Sequence, residues 1–110
     1  KQNRNKLNEF HKKIGQLSFL DPACGCGNFL VITYRELRLL EIEALKLLQR
    51  GQQVTELKLL LRVSIDSFYG IEYEEFPAQI TQVAMWLIDH QMNMICMNEF
   101  GKTLLHLLWC

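Results

Sequence analysis

Proline is scarce in this 110-residue chain: Pro22 and Pro77 are the only two, and they never adjoin. Charge of one sign is also lacking. Twelve Lys and Arg balance twelve Asp and Glu, so net charge names no partner, and a segment gripping nucleic acid by itself is expected to be more basic. The basic cluster Lys1, Arg4, Lys6, Lys12 and Lys13, opposed only by Glu9, reads as a solvated helix face. No apolar run approaches the ~20 residues that span a bilayer, and no charged-then-apolar leader with a small-residue cleavage site is visible. A soluble, cytoplasmic protein without a membrane partner is expected. Four cysteines occur without paired C-x-x-C spacing or a Cys/His ligand set, so no metal is expected. Cys24 and Cys26 flank a single glycine and cannot close an unstrained disulfide, while Cys96 and Cys110 lie far away; all four are expected reduced. The chain opens at Lys1, not at methionine, and is expected to begin inside a longer protein.

What is present is enough apolar residue for a core, 49% of the chain, in one small domain or part of a larger one. Residues 5–14 predict a short helix, with Leu7, Phe10 and Ile14 at helical spacing and Gly15 as its stop. Ser18 to Asp21 predicts a buried strand. Residues 28–50 predict a long amphipathic helix, with Asn28 as N-cap and Gly51 at its end. Its inward face is expected to be Leu30, Tyr34, Leu37, Leu40, Ala44, Leu47 and Leu48, with Arg35, Glu36, Arg38, Glu41, Glu43 and Lys46 largely outward. Residues 52–62 continue a helical pattern and 63–68 are ambiguous. Phe68 to Glu72 predicts a second strand. Phe76 to Ile95 predicts another helix, with Pro77 in its first turn and Phe76, Ile80, Val83, Ala84, Leu87, Ile88 and Ile95 on its period. Met85, Trp86, Met92, Met94 and Met97 read as core or interdomain packing, and His11, His90 and His106 as surface positions. Strand, helix, strand implies parallel pairing with a right-handed crossover, hence an α/β fold.

The residues between first strand and long helix carry the chemistry: Asp21-Pro22-Ala23-Cys24-Gly25-Cys26-Gly27-Asn28-Phe29. In a doubly wound sheet, ligands bind beyond the carboxyl ends of the strands, where this chain places Asp21 and Glu72. Gly25 and Gly27 can take positive φ and let a ligand approach the main chain, with the small Cys26 between them. The following helix start offers unbonded N–H groups to a carboxylate. Asp21 suits an ammonium, and Glu72 suits two ribose hydroxyls. S-adenosylmethionine has an amino acid at one end and a nucleoside at the other. A dinucleotide fits worse, because Leu30 stands where the third glycine of Gly-x-Gly-x-x-Gly belongs. A phosphate loop is excluded, since no Gly-Lys-Ser/Thr follows the turn.

The run from Asp21 to Phe29 resembles motif I of S-adenosylmethionine-dependent adenine-N6 DNA methyltransferases, Asp-Pro-x-x-Gly-x-Gly-x-Phe. The segment Phe68 to Asn93, opening Phe-Tyr-Gly-Ile-Glu-Tyr, resembles that family's second motif and its helix. With Tyr34-Arg35-Glu36-Leu37 between them, both look closest to the methyltransferase region of large single-chain restriction–modification enzymes, over residues 7–101. The resemblance implies part of a Rossmann-like class I methyltransferase fold. It implies that Asp21, Pro22, Ala23, Cys24, Gly25, Gly27, Asn28 and Phe29 surround the methionine end of the cofactor, that Glu72 holds the ribose and that Tyr73 lies beside the adenine. It divides the chain into a helical lead-in (1–17), a cofactor-binding part (18–98) and a divergent tail (99–110).

The scarcity of proline now matters. This family polarises a flipped adenine with an Asn/Asp/Ser-Pro-Pro-Tyr/Phe motif, and no Pro-Pro exists here, nor any segment resembling a target-recognition region. No catalytic residue is therefore expected in these 110 residues, and DNA is expected to be met through the remainder of a parent protein. The alternative is a remnant or packing module that keeps the fold without binding cofactor. A methyltransferase acting on RNA or protein is a third reading.

Overall fold

The computed structural model describes residues 2–48 and 61–100. The order is α1 (Gln2–Gln16), β1 (Phe19–Asp21), α2 (Asn28–Leu48), a 3-10 turn (Ile65–Ser67), β2 (Phe68–Gly70) and α3 (Glu75–Phe100). The two strands pair in parallel, with Phe19 opposite Phe68, Leu20 opposite Tyr69 and Asp21 opposite Gly70. Alternation then sorts the side chains. The Phe19 and Phe68 rings stack at 4.9 Å, and Tyr34 of α2 meets Phe68 edge-on at 5.2 Å, so this face looks toward the helices. Leu20 and Tyr69 point the other way and are more than half exposed. The core beneath the helices is Ile14, Cys24, Leu30, Tyr34, Val63, Met85, Ile88 and Met92. No helix among the described residues is long and apolar enough to cross a membrane.

Several local expectations are corrected. The helix α1 runs through Gly15 rather than stopping there. Glycine is needed for close approach instead: a Cβ at this position would stand 2.5 Å from that of Arg62. Phe10 is exposed, whereas His11, expected at the surface, is buried. On α2, Leu40 and Leu47 face solvent while Arg38 and Glu41 are 2% and 0% exposed. The helix touches both α1 and α3, so it is buried along more than one stripe. The stop at Gly51 and most of the 52–62 segment lie outside the described residues; Leu61 and Arg62 are not helical. On α3 the buried stripe is Thr81, Met85, Ile88, Met92 and Cys96. Phe76, Val83 and Leu87, expected inward, are half or more exposed. Apolar residues on both flanks of this helix made the wrong flank look like the core. Among the sulfur and indole side chains, Met85, Met92 and Met97 are buried, but Trp86 and Met94 are exposed. His90 is exposed, and His106 and Cys110 lie outside the described residues. Cys24, Cys26 and Cys96 are free thiols. The basic residues Arg4, Lys6, Lys12 and Lys13 are exposed, as a solvated face requires.

Burying Arg38 and Glu41 is possible because partners from distant elements converge on them. Arg38 donates to the Tyr34 hydroxyl at 2.7 Å, Asp89 Oδ1 at 3.1 Å and Asn93 Oδ1 at 2.7 Å. Tyr34 in turn donates to Asp89. Glu41 Oε2 lies 2.8 Å from His11 Nε2 and accepts the backbone N–H groups of Arg62 and Val63 at 2.6 and 3.0 Å. Burial pushes the Tyr34 phenol well above its ordinary pKa and the Cys96 thiol up to about 11. Both stay protonated near neutrality. This polar seam joins α1, α2 and α3 to the strap leading into β2, and so fixes where β2 delivers its last residues.

Candidate functional site

Beyond the three paired residues the two strand ends remain joined by main chain. Ile71 N–H donates to the Asp21 carbonyl at 2.9 Å, and Cys24 N–H donates to the Ile71 carbonyl at 3.0 Å. The turn after β1 therefore leaves the sheet already tied to the residue before Glu72. Asp21 Oδ1 accepts the Ala23 N–H at 3.1 Å, a local bond that bends the Asp-Pro-Ala segment. The chain then passes Gly25 at φ +53° and Gly27 at φ +87°, conformations that cost a side-chain-bearing residue roughly 1 kcal/mol or more.

The two glycines serve different ends. A Cβ on Gly25 would meet nothing within 4 Å, so the main chain there is open to a visitor. One on Gly27 would stand 2.8 Å from Thr81 Cγ2, so its absence lets α3 press against the turn. The Gly27 carbonyl accepts Val31 N–H at 2.8 Å, which makes Gly27 the N-cap of α2. Asn28, expected in that role, is the first helical residue; a glycine at positive φ turns the chain one position earlier. The first N–H groups of α2 have no partner within the helix.

Glu72 closes the arrangement from the other strand. It lies two residues past the end of β2, not on the strand itself, because the paired segment is only three residues long. Its Oε1 accepts the Gly25 N–H and its Oε2 the Glu74 N–H, both at 3.0 Å. Each oxygen keeps a further lone pair. A hollow of about 410 Å³ opens beside this carboxylate, between β2 and α3, with Leu30, Phe68, Met85 and Trp86 among its walls. Of the residues expected around a ligand, only Cys24, Gly25, Glu72 and their turn neighbours are tied to one another directly. Cys24 and Glu72 line the hollow, whereas Asp21, Pro22, Ala23, Gly25, Gly27, Asn28, Phe29 and Tyr73 do not. Pro22, Ala23, Asn28 and Phe29 are exposed on the turn, and Tyr73 is fully exposed.

One participant went unread in the sequence. Thr81 of α3 donates its hydroxyl to the Gly25 carbonyl at 2.7 Å. A single Thr within a buried apolar stripe is the local signal for such a residue, but nothing local names its partner 56 positions away. Among the described residues no group of three or more His, Cys, Asp or Glu is placed to hold a metal.

Two parallel strand ends, a two-glycine turn and a carboxylate laced to that turn define a small α/β chain. This chain belongs to the MmeI DNA-methyltransferase domain family, which it matches over residues 1–108. It is 44% identical over 94 residues to DNA methyltransferase A of Bacillus subtilis (strain 168), covering 86% of this chain and 10% of that protein. A Methanocaldococcus jannaschii chain named as a type II restriction enzyme and methyltransferase is 26% identical over 86 residues, or 78% of this chain and 7% of that one. Among solved structures, the type IIL restriction–modification enzyme MmeI in complex with DNA is similar, with a TM-score of 0.83 at 67% identity. That likeness covers 89% of this chain and 13% of the MmeI chain. The chain thus spans about a tenth of the length of the relatives it matches. The resemblance to the methyltransferase region of restriction–modification enzymes is borne out.

Proposed function

We propose that this chain is the S-adenosylmethionine-binding portion of a DNA adenine-N6 methyltransferase, and that residues 18–98 form part of a Rossmann-like class I domain. The observation that carries the reading is the bond from Gly25 N–H to Glu72, because it joins the loop for one end of the cofactor to the acid for the other. The donor set fits the group. The N–H groups at the start of α2 suit a carboxylate, the space at Gly25 leaves room for it, Asp21 suits the ammonium, and the spare lone pairs of Glu72 suit the ribose hydroxyls. Pro22, Ala23, Cys24, Gly27, Asn28 and Phe29 complete the surroundings of the methionine end, and Tyr73 lies beside the adenine. When bound, the cofactor supplies an electrophilic methyl group. The residues of this chain hold and orient it, and none of them serves as the acceptor site for a base, since no Pro-Pro motif is present. DNA is met through the rest of a parent protein, a reading supported by the DNA complex of MmeI.

Titration calorimetry with S-adenosylhomocysteine tests this. Binding is expected, and Asp21→Ala and Glu72→Ala should each weaken it by on the order of tenfold or more, the scale of a lost charge-assisted hydrogen bond. No binding by the folded wild-type chain would favour a packing module instead. Labelled methyl transfer to DNA by these 110 residues alone is expected to be nil.

A further inference from the structure

We propose that Thr81 is a positioning residue for the cofactor turn, acting through the peptide that follows Gly25. This rests on the reading that the turn holds the methionine end of S-adenosylmethionine. The Gly25 residue is held from two sides: Glu72 Oε1 accepts its N–H at 3.0 Å, and Thr81 Oγ1 donates to its carbonyl at 2.7 Å. Thr81 is 8% exposed, so this bond is sheltered from water. Its methyl group occupies the space that any Cβ on Gly27 would need. One side chain thus pins the carbonyl of the first glycine and seats the second.

The consequence follows from peptide geometry. The peptide joining Gly25 and Cys26 is trans and planar, so its C=O and N–H point in opposite directions. Drawing the Gly25 oxygen toward α3 turns the Cys26 N–H away from α3, and Cys26 is exposed. An anionic group arriving there meets a donor. Without the Thr81 bond, a glycine at φ +53° can rotate this peptide with little steric resistance and offer the carbonyl instead. The hydroxyl has a fallback, since Pro77 O lies 3.1 Å away within the same helix. Releasing the turn therefore leaves Thr81 satisfied but the Gly25 carbonyl with only the weak Cys24 thiol donor at 3.9 Å, and it is the turn that bears the loss.

Two variants separate this role from general packing. Thr81→Val keeps the shape and removes the donor; Thr81→Ser keeps the donor and removes the methyl. Each is compared with wild type by calorimetry with S-adenosylhomocysteine, and by amide exchange of Gly25 and Gly27, whose N–H groups are bonded within the turn, without ligand. Thr81→Val is expected to bind roughly five- to tenfold more weakly, the scale of one neutral hydrogen bond, and to exchange those amides faster by a similar factor. Thr81→Ser should stay within about twofold of wild type in both, because it retains that bond. Unchanged affinity and exchange in Thr81→Val would overturn the proposal, as would equal losses in both variants. If wild type binds no S-adenosylhomocysteine, the cofactor reading falls. The exchange contrast between Val and Ser then decides by itself whether Thr81 holds the turn.

Discussion

Arg38 and Glu41 are the residues whose surroundings depart furthest from their type. Long charged side chains on a soluble helix default to the solvent side, and that default placed both outward in the sequence reading. What reverses it is a set of partners 30 to 55 positions away: His11, Asp89 and Asn93. Periodicity within one helix carries no information about such partners, so His11 was misplaced for the same reason. The turn after β1 was legible because its pattern is local: the acid Asp21 ends the strand and two spaced glycines follow, both at positive φ. Removing Arg38 takes the cation away from Asp89 and Glu41 and a donor away from the Asn93 oxygen. Arg38→Ala is expected to lower stability by about 3–5 kcal/mol, the usual scale for breaking a buried pair, read as a shift in the urea midpoint. An exposed control such as Arg35→Ala should move it by about 0.5 kcal/mol or less.

At the scale of elements, the order helix, strand, helix, strand, helix and the parallel pairing were readable from apolar runs and turn residues. The rotation of α3 was not. Phe76, Val83 and Leu87 lie at helical spacing just as Thr81, Met85 and Met92 do, and hydrophobicity favoured the stripe that faces outward, although Ile88, expected inward, is buried. The buried stripe wins because it meets α2 and the glycine turn. Gly15 shows the same limit from the other side. A glycine near a helix end reads as a stop, but here α1 continues past it so that the helix can lie against Arg62. Two effects oppose each other in Gly15→Ala. Helix propensity favours alanine by about 1 kcal/mol, and a Cβ placed 2.5 Å from another incurs an overpacking cost of about 1–3 kcal/mol. The clash involves a Cβ rather than a mobile chain end, so overpacking prevails. The thermal midpoint of Gly15→Ala is expected to fall, and a rise would mean that α1 shifts freely.

For the molecule as a whole, the sheet is lopsided. Among the described residues, helices cover the Phe19 and Phe68 side, while Leu20 and Tyr69 on the opposite side are 57% and 55% exposed, with Ile71 beyond them. Parallel strands are normally covered on both faces, and a bare apolar patch of this kind promotes association. The 110-residue chain is therefore expected to self-associate with rising concentration in sedimentation velocity, and Leu20→Lys with Tyr69→Lys should shift it toward monomer. Continued association of that double variant would place the contact elsewhere, with the outward stripe of α3 the next surface to alter. The lacing of Glu72 onto Gly25 has a further implication for how the chain can be divided. The loop leaving β1 is finished only by a residue 47 positions later, so a backbone cut between residues 48 and 61 would yield two pieces, each lacking half of the grip. On the proposed reading, cofactor binding would return only on mixing them, as a property of neither fragment.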